Sequence, residues 1–154
     1  GTGHHPTTSS SLRAISKYVK SGDDVLDVGC GSGILGIGAM KLGAIVDACD
    51  TDPVSVENSI HNAELNGLKF NSIWEGSCTN IDKKYNIVVA NIVADVLTFI
   101  SKDLKNALKN DGILILSGIL DKYEKKVLNF YKDCNLVQRI AQDEWVTLIL
   151  KKAN

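Results

Sequence analysis

The stretch VLDVGCGSGILG, residues 25–36, joins a short apolar strand pattern to a glycine-rich turn and a helix of small residues. In a doubly wound sheet, glycines at such a turn let a ligand approach the backbone at the carboxyl end of the strand. Gly29, Gly31 and Gly33 form a G-x-G-x-G pattern, whereas Gly31, Gly33 and Gly36 form the dinucleotide-binding pattern G-x-G-x-x-G. The stretch therefore predicts an α/β fold with a nucleotide-like ligand beside these glycines.

The rest of the chain alternates between strand and helix patterns. Residues 7–11 offer several N-caps for the first helix. Strands are predicted at 25–29, 44–50, 70–76, 85–91, 112–119, 136–142 and 144–152, and helices at 12–20, 32–43, 52–67, 94–110 and 122–134. Unbroken apolar strands indicate burial on both faces, which requires helices on both sides of a mainly parallel sheet. The last two strands lie too close in sequence for a crossover helix, so we predict a seven-stranded sheet ending in an antiparallel hairpin.

Composition limits the function classes. The chain has 154 residues, 44% of them hydrophobic, which predicts a single domain covering residues 1–154. Its 17 basic and 18 acidic residues, with only two arginines, argue against direct nucleic-acid binding. The four cysteines lack metal-ligand spacing and are expected to be core residues in a reducing compartment, so we predict no metal site and a cytoplasmic location. No apolar run approaches the roughly 20 residues that span a membrane.

Two carboxylates bear on the identity of the ligand. Asp27, at the end of the first strand, is expected to repel a pyrophosphate and to favour a ligand with an ammonium group, such as S-adenosylmethionine. Its alternative role is to cap backbone amides of the turn. Asp50 follows Gly29 by 21 positions, close to the spacing of about 20 typical of a residue that accepts hydrogen bonds from ribose hydroxyls. Both cofactor classes predict Asp50, so it indicates an adenosine-type ligand of either class.

Several motifs together resemble one known family. They are GTGHHPTTSSSL at 1–12, VVANIVADVL at 88–97, ILSGIL at 115–120 and EWVTLIL at 144–150, in addition to the glycine-rich stretch. In this combination the chain resembles, over essentially its whole length, the catalytic domain of the PrmA family of bacterial ribosomal-protein methyltransferases. The resemblance implies a Rossmann-like S-adenosylmethionine-dependent methyltransferase fold. It also implies that the cofactor is S-adenosylmethionine and that the substrate is large-subunit ribosomal protein eleven, methylated on lysine side chains and the N-terminal amine.

The same resemblance implies which residues form the site. In the family, the segment that matches residues 1–8 folds over the cofactor, so His5, Thr7 and Thr8 are expected to face it, whereas His4 departs from the family pattern. The predicted cofactor contacts, from the resemblance and the glycine turn, are His5, Thr8, Gly29, Gly31, Asp50 and Asn91.

Asn91 is also the candidate catalytic residue. At the end of the fourth strand, its side-chain oxygen or the next backbone carbonyl can accept hydrogen bonds from the acceptor amine. Its alternative role is to end the strand with a turn hydrogen bond of its own. The sequence NIVA at 91–94 differs from the Asn-Pro-Pro-aromatic motif of glutamine and adenine methyltransferases, which disfavours planar amide and base substrates.

Two further functions stay open at the level of sequence. Family members carry an N-terminal domain that presents the ribosomal substrate, and this chain is expected to lack it, which leaves substrate selectivity open while cofactor binding should survive. The alternatives are a methyltransferase for a small molecule and a cofactor-binding module without activity in this truncated form.

Overall fold

One twisted sheet organises the structure, a computed structural model that describes residues 5–153. Its strands are β1 (Asp24–Val28), β2 (Ile45–Asp50), β3 (Ser72–Glu75), β4 (Tyr85–Asn91), β5 (Leu108–Leu120), β6 (Cys134–Gln142) and β7 (Trp145–Lys152). They lie in the order β3-β2-β1-β4-β5-β7-β6. β7 is antiparallel to both of its neighbours, whereas β1 to β5 pair in parallel. The predicted seven-stranded, mainly parallel sheet with a C-terminal hairpin is confirmed.

Helices cover both faces of this sheet. They are α1 (Pro6–Tyr18), α2 (Ile34–Lys41), α3 (Pro53–Leu65), α4 (Ala94–Phe99), α5 (Ser101–Asn106) and α6 (Glu124–Leu128), with a single 3₁₀ turn at Asp121–Tyr123. Successive residues of β4 enter different cores, since Val88 packs with Leu97 and Leu104 under α4 and α5, whereas Val89 packs with Ile15 of α1. Both side chains are fully buried, as expected for a sheet that is covered on both sides.

The start of α1 corrects a prediction. The predicted caps at 7–11 are wrong, because the helix already begins at Pro6 and these residues form its first turns. His5 is the N-cap, and its ring Nδ1 accepts a hydrogen bond from the Thr7 backbone N–H at 3.2 Å. Proline suits the first helical position because its missing N–H has no partner there and its φ is already helical.

The region after β4 also differs from the prediction. The single helix predicted at 94–110 is two short helices separated by Ile100, and the chain enters β5 at Leu108. Leu108 pairs with Tyr85, and Asp111 adopts a φ of 64° where the register shifts. Pairing with β4 therefore overrides the helical pattern of residues 108–110. The helix predicted at 122–134 is likewise reduced to a 3₁₀ turn and α6.

Candidate functional site

A cleft of about 390 Å³ lies beyond the carboxyl ends of β1, β2 and β4. Gly29 lines it after β1, Asp50 and Thr51 at the end of β2, Ser77 after β3, and Ile92 after β4. This is the place where doubly wound sheets bind ligands, next to the point where the strand order reverses between β1 and β4. The glycine-rich turn of residues 25–36 therefore leads into the cleft, as its position after the first strand predicted.

Gly29 is held in a conformation that other residues rarely adopt. Its φ is 72°, and its backbone N–H donates to the carbonyl of Cys49 at 2.8 Å. A Cβ atom at this position would lie 2.6 Å from Cγ2 of Ile92, which forms the facing wall. The glycine is thus required both by the turn and by the closeness of the segment after β4.

The Asp50 carboxylate is fixed by two backbone donors. Its Oδ2 accepts from the N–H of Gly31 and its Oδ1 accepts from the N–H of Asp52, both at 2.9 Å. The Asp50 carbonyl also accepts from the N–H of Gly76 at 2.8 Å, so the ends of β2 and β3 are joined. A carboxylate has about four lone-pair sites, and two remain for hydroxyl donors of a ligand in the cleft.

Asp27 does not line the cleft, contrary to the expected ligand contact. It is 1% exposed, and its Oδ2 accepts from the N–H of Gly36 at 3.1 Å in the first turn of α2. The N-cap of that helix is Gly33, which has no side chain, so Asp27 acts as the cap from β1. Burial raises the pKa of this carboxyl to about 7, against the lowering effect of the Gly36 N–H and with a smaller raising effect of Asp50. The alternative role, capping backbone amides, is the one that the structure supports.

Asn91 ends β4 beside Ser117 of β5. Within residues 5–153, its side-chain amide has no hydrogen-bond partner, so it does not make the turn hydrogen bond of the alternative role. Gly118 leaves room for it, since a Cβ there would lie 3.0 Å from Oδ1 of Asn91 and 2.7 Å from the carbonyl oxygen of Ile92. Gly118 also has a φ of 81° and lies in a β-bulge, because the register of β5 and β7 shifts between Leu116 and Ile119.

The first turn of α1 lies near the carboxyl end of β4, because it contacts Ser117, the strand partner of Asn91. Thr7 and Thr8 are buried, and the carbonyl oxygen of Thr7 accepts a hydrogen bond from Oγ of Ser117 at 3.2 Å. The His5 ring packs edge-on against Trp145 with 5.1 Å between the ring centroids. Residues 1–4, which include the unusual His4, lie outside the described part of the chain.

A second hollow, of about 210 Å³, is bordered by the segment after β4 and by residues of β5 and β7. Val93 borders both the hollow and the cleft. The remaining wall includes Gly118, Tyr123 and Trp145, with the ion pair of Asp95 and Lys126 at its edge. Because Val93 is shared, the hollow adjoins the cleft just after the end of β4.

Comparison with known proteins gives the family. The sequence profile described as "Ribosomal protein L11 methyltransferase (PrmA)" matches residues 1–153. The chain belongs to the PrmA family. The ribosomal protein L11 methyltransferase of Campylobacter concisus is 53% identical over 152 residues, which are 99% of this chain and 55% of that relative. The enzyme of the same name from Nitratiruptor is 54% identical over 151 residues, 98% of this chain and 54% of the relative. The chain thus spans about half the length of the curated relatives it matches.

A solved structure of a ribosomal protein L11 methylase agrees with this placement in the PrmA family. The ribosomal protein L11 methylase of Lactobacillus delbrueckii subsp. bulgaricus has a TM-score of 0.93 at 31% identity, covering 99% of this chain and 81% of that one. Magnesium protoporphyrin IX methyltransferase from Synechocystis, solved with bound SAM, has a TM-score of 0.77 at 19% identity, covering 98% of this chain and 80% of that one. At that identity the second likeness concerns the fold alone. The predicted resemblance and the Rossmann-like methyltransferase fold are confirmed.

The structure of this PrmA-family domain distributes the predicted site residues over two regions. Gly29 and Asp50 line the cleft, and Gly31 lies one hydrogen bond behind Asp50. Asn91 precedes the wall residue Ile92, whereas His5 and Thr8 lie at the start of α1 and are not among the described residues that line the cleft. Their contacts with a cofactor stay predictions.

Some features of the PrmA-family domain were expected to be structural. Cys30, Cys49 and Cys78 are buried as predicted and Cys134 partly so, and burial raises the pKa of Cys30 to about 12. Within residues 5–153, the structure contains no cluster of side chains suited to a metal ion, and no helix there is long and apolar enough to cross a membrane. Trp145 is half-buried and lines the second hollow.

Proposed function

We propose that this domain binds S-adenosylmethionine in the cleft and methylates amino groups of a large-subunit ribosomal protein. The observation that carries the proposal is the Asp50 carboxylate, which two backbone N–H groups hold at the cleft wall beside Gly29. Its free lone pairs suit ribose hydroxyls, and the apolar side chains of Ile92, Val96 and Ile100 suit a flat aromatic base. The residues present therefore fit an adenosine-type cofactor. When bound, S-adenosylmethionine supplies a methyl group activated by a positively charged sulfur.

The chain's part in the reaction is to align the acceptor amine. Only a neutral amine has a free lone pair, and a lysine with an ordinary pKa near 10.4 is almost fully charged at pH 7. Asn91 has a side-chain oxygen without a partner among the described residues, and it can accept an N–H of the amine and orient its lone pair. Alignment of this kind is the main contribution that a protein makes to a simple displacement.

The acceptor is proposed to enter through the second hollow. Trp145 and Tyr123 present aromatic surface to the stem of an alkylamine, and the proton of the amine leaves to solvent before transfer. A lysine side chain or an N-terminal amine has this chemistry. We further propose that residues 1–154 act as one catalytic domain in the cytoplasm.

Binding and transfer can be tested separately. Titration calorimetry of the folded domain with S-adenosylmethionine should show saturable binding, and a flat trace would remove the proposal. Transfer is measured with radiolabelled cofactor and purified ribosomal protein L11, with the Campylobacter concisus enzyme as the positive control. Binding without transfer, to this protein or to small amines, would instead favour the binding-module alternative. Transfer to small amines alone would favour the small-molecule methyltransferase.

Asp50→Ala is expected to weaken binding of S-adenosylmethionine by about 100-fold or more. The substitution removes the acceptor for ribose and leaves the N–H groups of Gly31 and Asp52 without their partner. Hydrogen bonds to a charged group are worth about 1.5–3 kcal/mol each. The loss of two such bonds, from ribose hydroxyls to the Asp50 carboxylate, accounts for the expected loss of affinity. Titration calorimetry measures the change.

Asp52→Ala is the matched control for this experiment. It removes the carboxylate that caps α3, where Oδ1 of Asp52 accepts from the N–H of Val54 at 3.0 Å, but keeps the backbone N–H that holds Asp50. Its stability should fall by about 1 kcal/mol, the usual cost of a lost N-cap, with affinity within about threefold of wild type. Similar affinity losses in both variants would contradict the role assigned to Asp50.

A further inference from the structure

Two buried hydroxyl groups interrupt the apolar centre of the sheet. Ser117 of β5 and Thr147 of β7 are 0% and 1% exposed, and their oxygens lie 2.7 Å apart. Their neighbours along the strands, such as Leu116 and Leu148, are fully buried apolar residues. Burying a polar group is unfavourable unless it is hydrogen-bonded, so the placement of two such groups together needs a reason.

The hydrogen bonds run in one direction through this pair. Ser117 has one hydroxyl hydrogen, and it donates this to the carbonyl oxygen of Thr7 at 3.2 Å. Thr147 must therefore be the donor to Ser117 across the 2.7 Å contact. The β-bulge between Leu116 and Ile119 makes this possible, because it sets Ser117 and Gly118 opposite the single residue Thr147. The result is a chain of hydrogen bonds from β7 through β5 to the first turn of α1.

We propose that Ser117 and Thr147 are positioning residues that fix the first turn of α1 beside Asn91. Ser117 is the register partner of Asn91, so one residue joins the end of β4 to the backbone of Thr7. The inference rests on the proposed function, in which Asn91 aligns the acceptor, and on the sequence prediction that Thr8 at the start of α1 contacts the cofactor. It assigns to the hydroxyl pair the task of holding these two parts in one arrangement.

The other side-chain hydrogen bonds of α1 to the sheet hold later parts of the helix. Ser10 donates to Gln142, while Lys17 and Tyr18 both donate to Gln138, so these contacts reach β6. Within residues 5–153, the bond from Ser117 is the side-chain hydrogen bond that ties the first-turn backbone to the parallel part of the sheet. Its loss is therefore expected to loosen the first turn while the rest of the helix stays docked.

The test compares variants that differ by single groups. Ser117→Ala and Thr147→Val each break the chain of hydrogen bonds, and the second keeps the shape of the side chain. Thr147→Ser keeps the hydroxyl, so its first-turn hydrogen exchange and its cofactor affinity should equal those of wild type. Ser11→Ala is the matched control, because Ser11 is also fully buried on α1, but its hydroxyl has no partner among the described residues.

Two measurements separate positioning from general packing. Hydrogen exchange without ligand should show about tenfold faster exchange of the α1 first-turn amides, such as that of Ser9, in both pair variants, while β5 amides keep their protection. Titration calorimetry should show S-adenosylmethionine affinity about tenfold weaker in the same variants, with Ser11→Ala and Thr147→Ser unchanged.

The outcomes distinguish this inference from the proposed function. Unchanged first-turn exchange in Thr147→Val and Ser117→Ala, or equal acceleration throughout the sheet, would overturn the positioning role. Faster first-turn exchange with unchanged cofactor affinity would also overturn it, because the turn would then be fixed for another purpose. If wild type binds no S-adenosylmethionine, the proposed function fails, while exchange in the ligand-free protein still decides whether the pair fixes the turn.

Discussion

Asn91→Ala is expected to lower the rate of methyl transfer about 1,000-fold while the affinity for S-adenosylmethionine stays within about threefold. The side-chain amide of Asn91 has no hydrogen-bond partner within residues 5–153, so the substitution leaves no partner there unpaired. The substitution is therefore expected to lower only the rate of the transfer step, in which the amine must be aligned. Single-turnover transfer and titration calorimetry, run on the same preparation, give the rate and the affinity separately.

Asn86→Ala is the matched control on the same strand. Asn86 lies at the opposite end of β4, where its Oδ1 accepts from the N–H of Asp24 at 2.8 Å. The same oxygen also accepts from Nζ of the exposed Lys109 at 3.3 Å, so its loss should reduce stability by about 1–2 kcal/mol and leave the transfer rate unchanged. Equal losses of rate and cofactor affinity in Asn91→Ala would assign Asn91 to cofactor binding alone.

The buried Asp27 is expected to make the protein less stable as the pH rises from about 4 to 7. Its pKa is 3.8 in the unfolded chain and about 7 in the fold. Between these values the folded state binds more protons than the unfolded state, so the free energy of unfolding decreases with rising pH. The full difference in pKa corresponds to at most about 4 kcal/mol, reached above pH 7.

Asp27→Asn should remove this decrease, because the amide oxygen can still accept from the N–H of Gly36 but does not titrate. Urea unfolding of both proteins from pH 4 to 8 measures the effect, and other titrating groups cancel in the difference. Asp52→Asn is the control, since Asp52 also caps a helix but is exposed. Parallel curves for wild type and Asp27→Asn would show that Asp27 is not the group responsible.

Local patterns predicted the parts of the fold that depend on neighbours in sequence. The glycine turn at 25–36 and the short link between the last two strands predicted the sheet and its hairpin. The spacing from Gly29 to Asp50 predicted a carboxylate beside the glycine turn, because both residues end adjacent parallel strands. Asp27 was predicted at the right strand end, but its orientation towards Gly36 depends on packing under α2.

The sequence patterns did not predict residues that act through partners far away in the chain. Ser117 reaches Thr7, which lies 110 positions earlier in the chain, and no local pattern carries that contact. Gly118 offered a signal, since a glycine inside a strand pattern is typical of a bulge, but its closeness to Asn91 requires the pairing of β4 with β5. The break between α4 and α5 at Ile100 was also missed, and next to it the hydroxyl of the buried Tyr131 donates to the carbonyl of Leu97.

The order of the strands has a consequence for protein synthesis. β7 is made after every other strand of this sheet, yet it lies between β5 and β6. Until residues 145–152 emerge from the ribosome, β6 has no neighbour to pair with, and one edge of β5 is open along its apolar residues from Leu114 to Leu116. Before β7 is made, the partly formed sheet therefore keeps unpaired edges that can pair with other chains, and the insertion of β7 between β5 and β6 closes them.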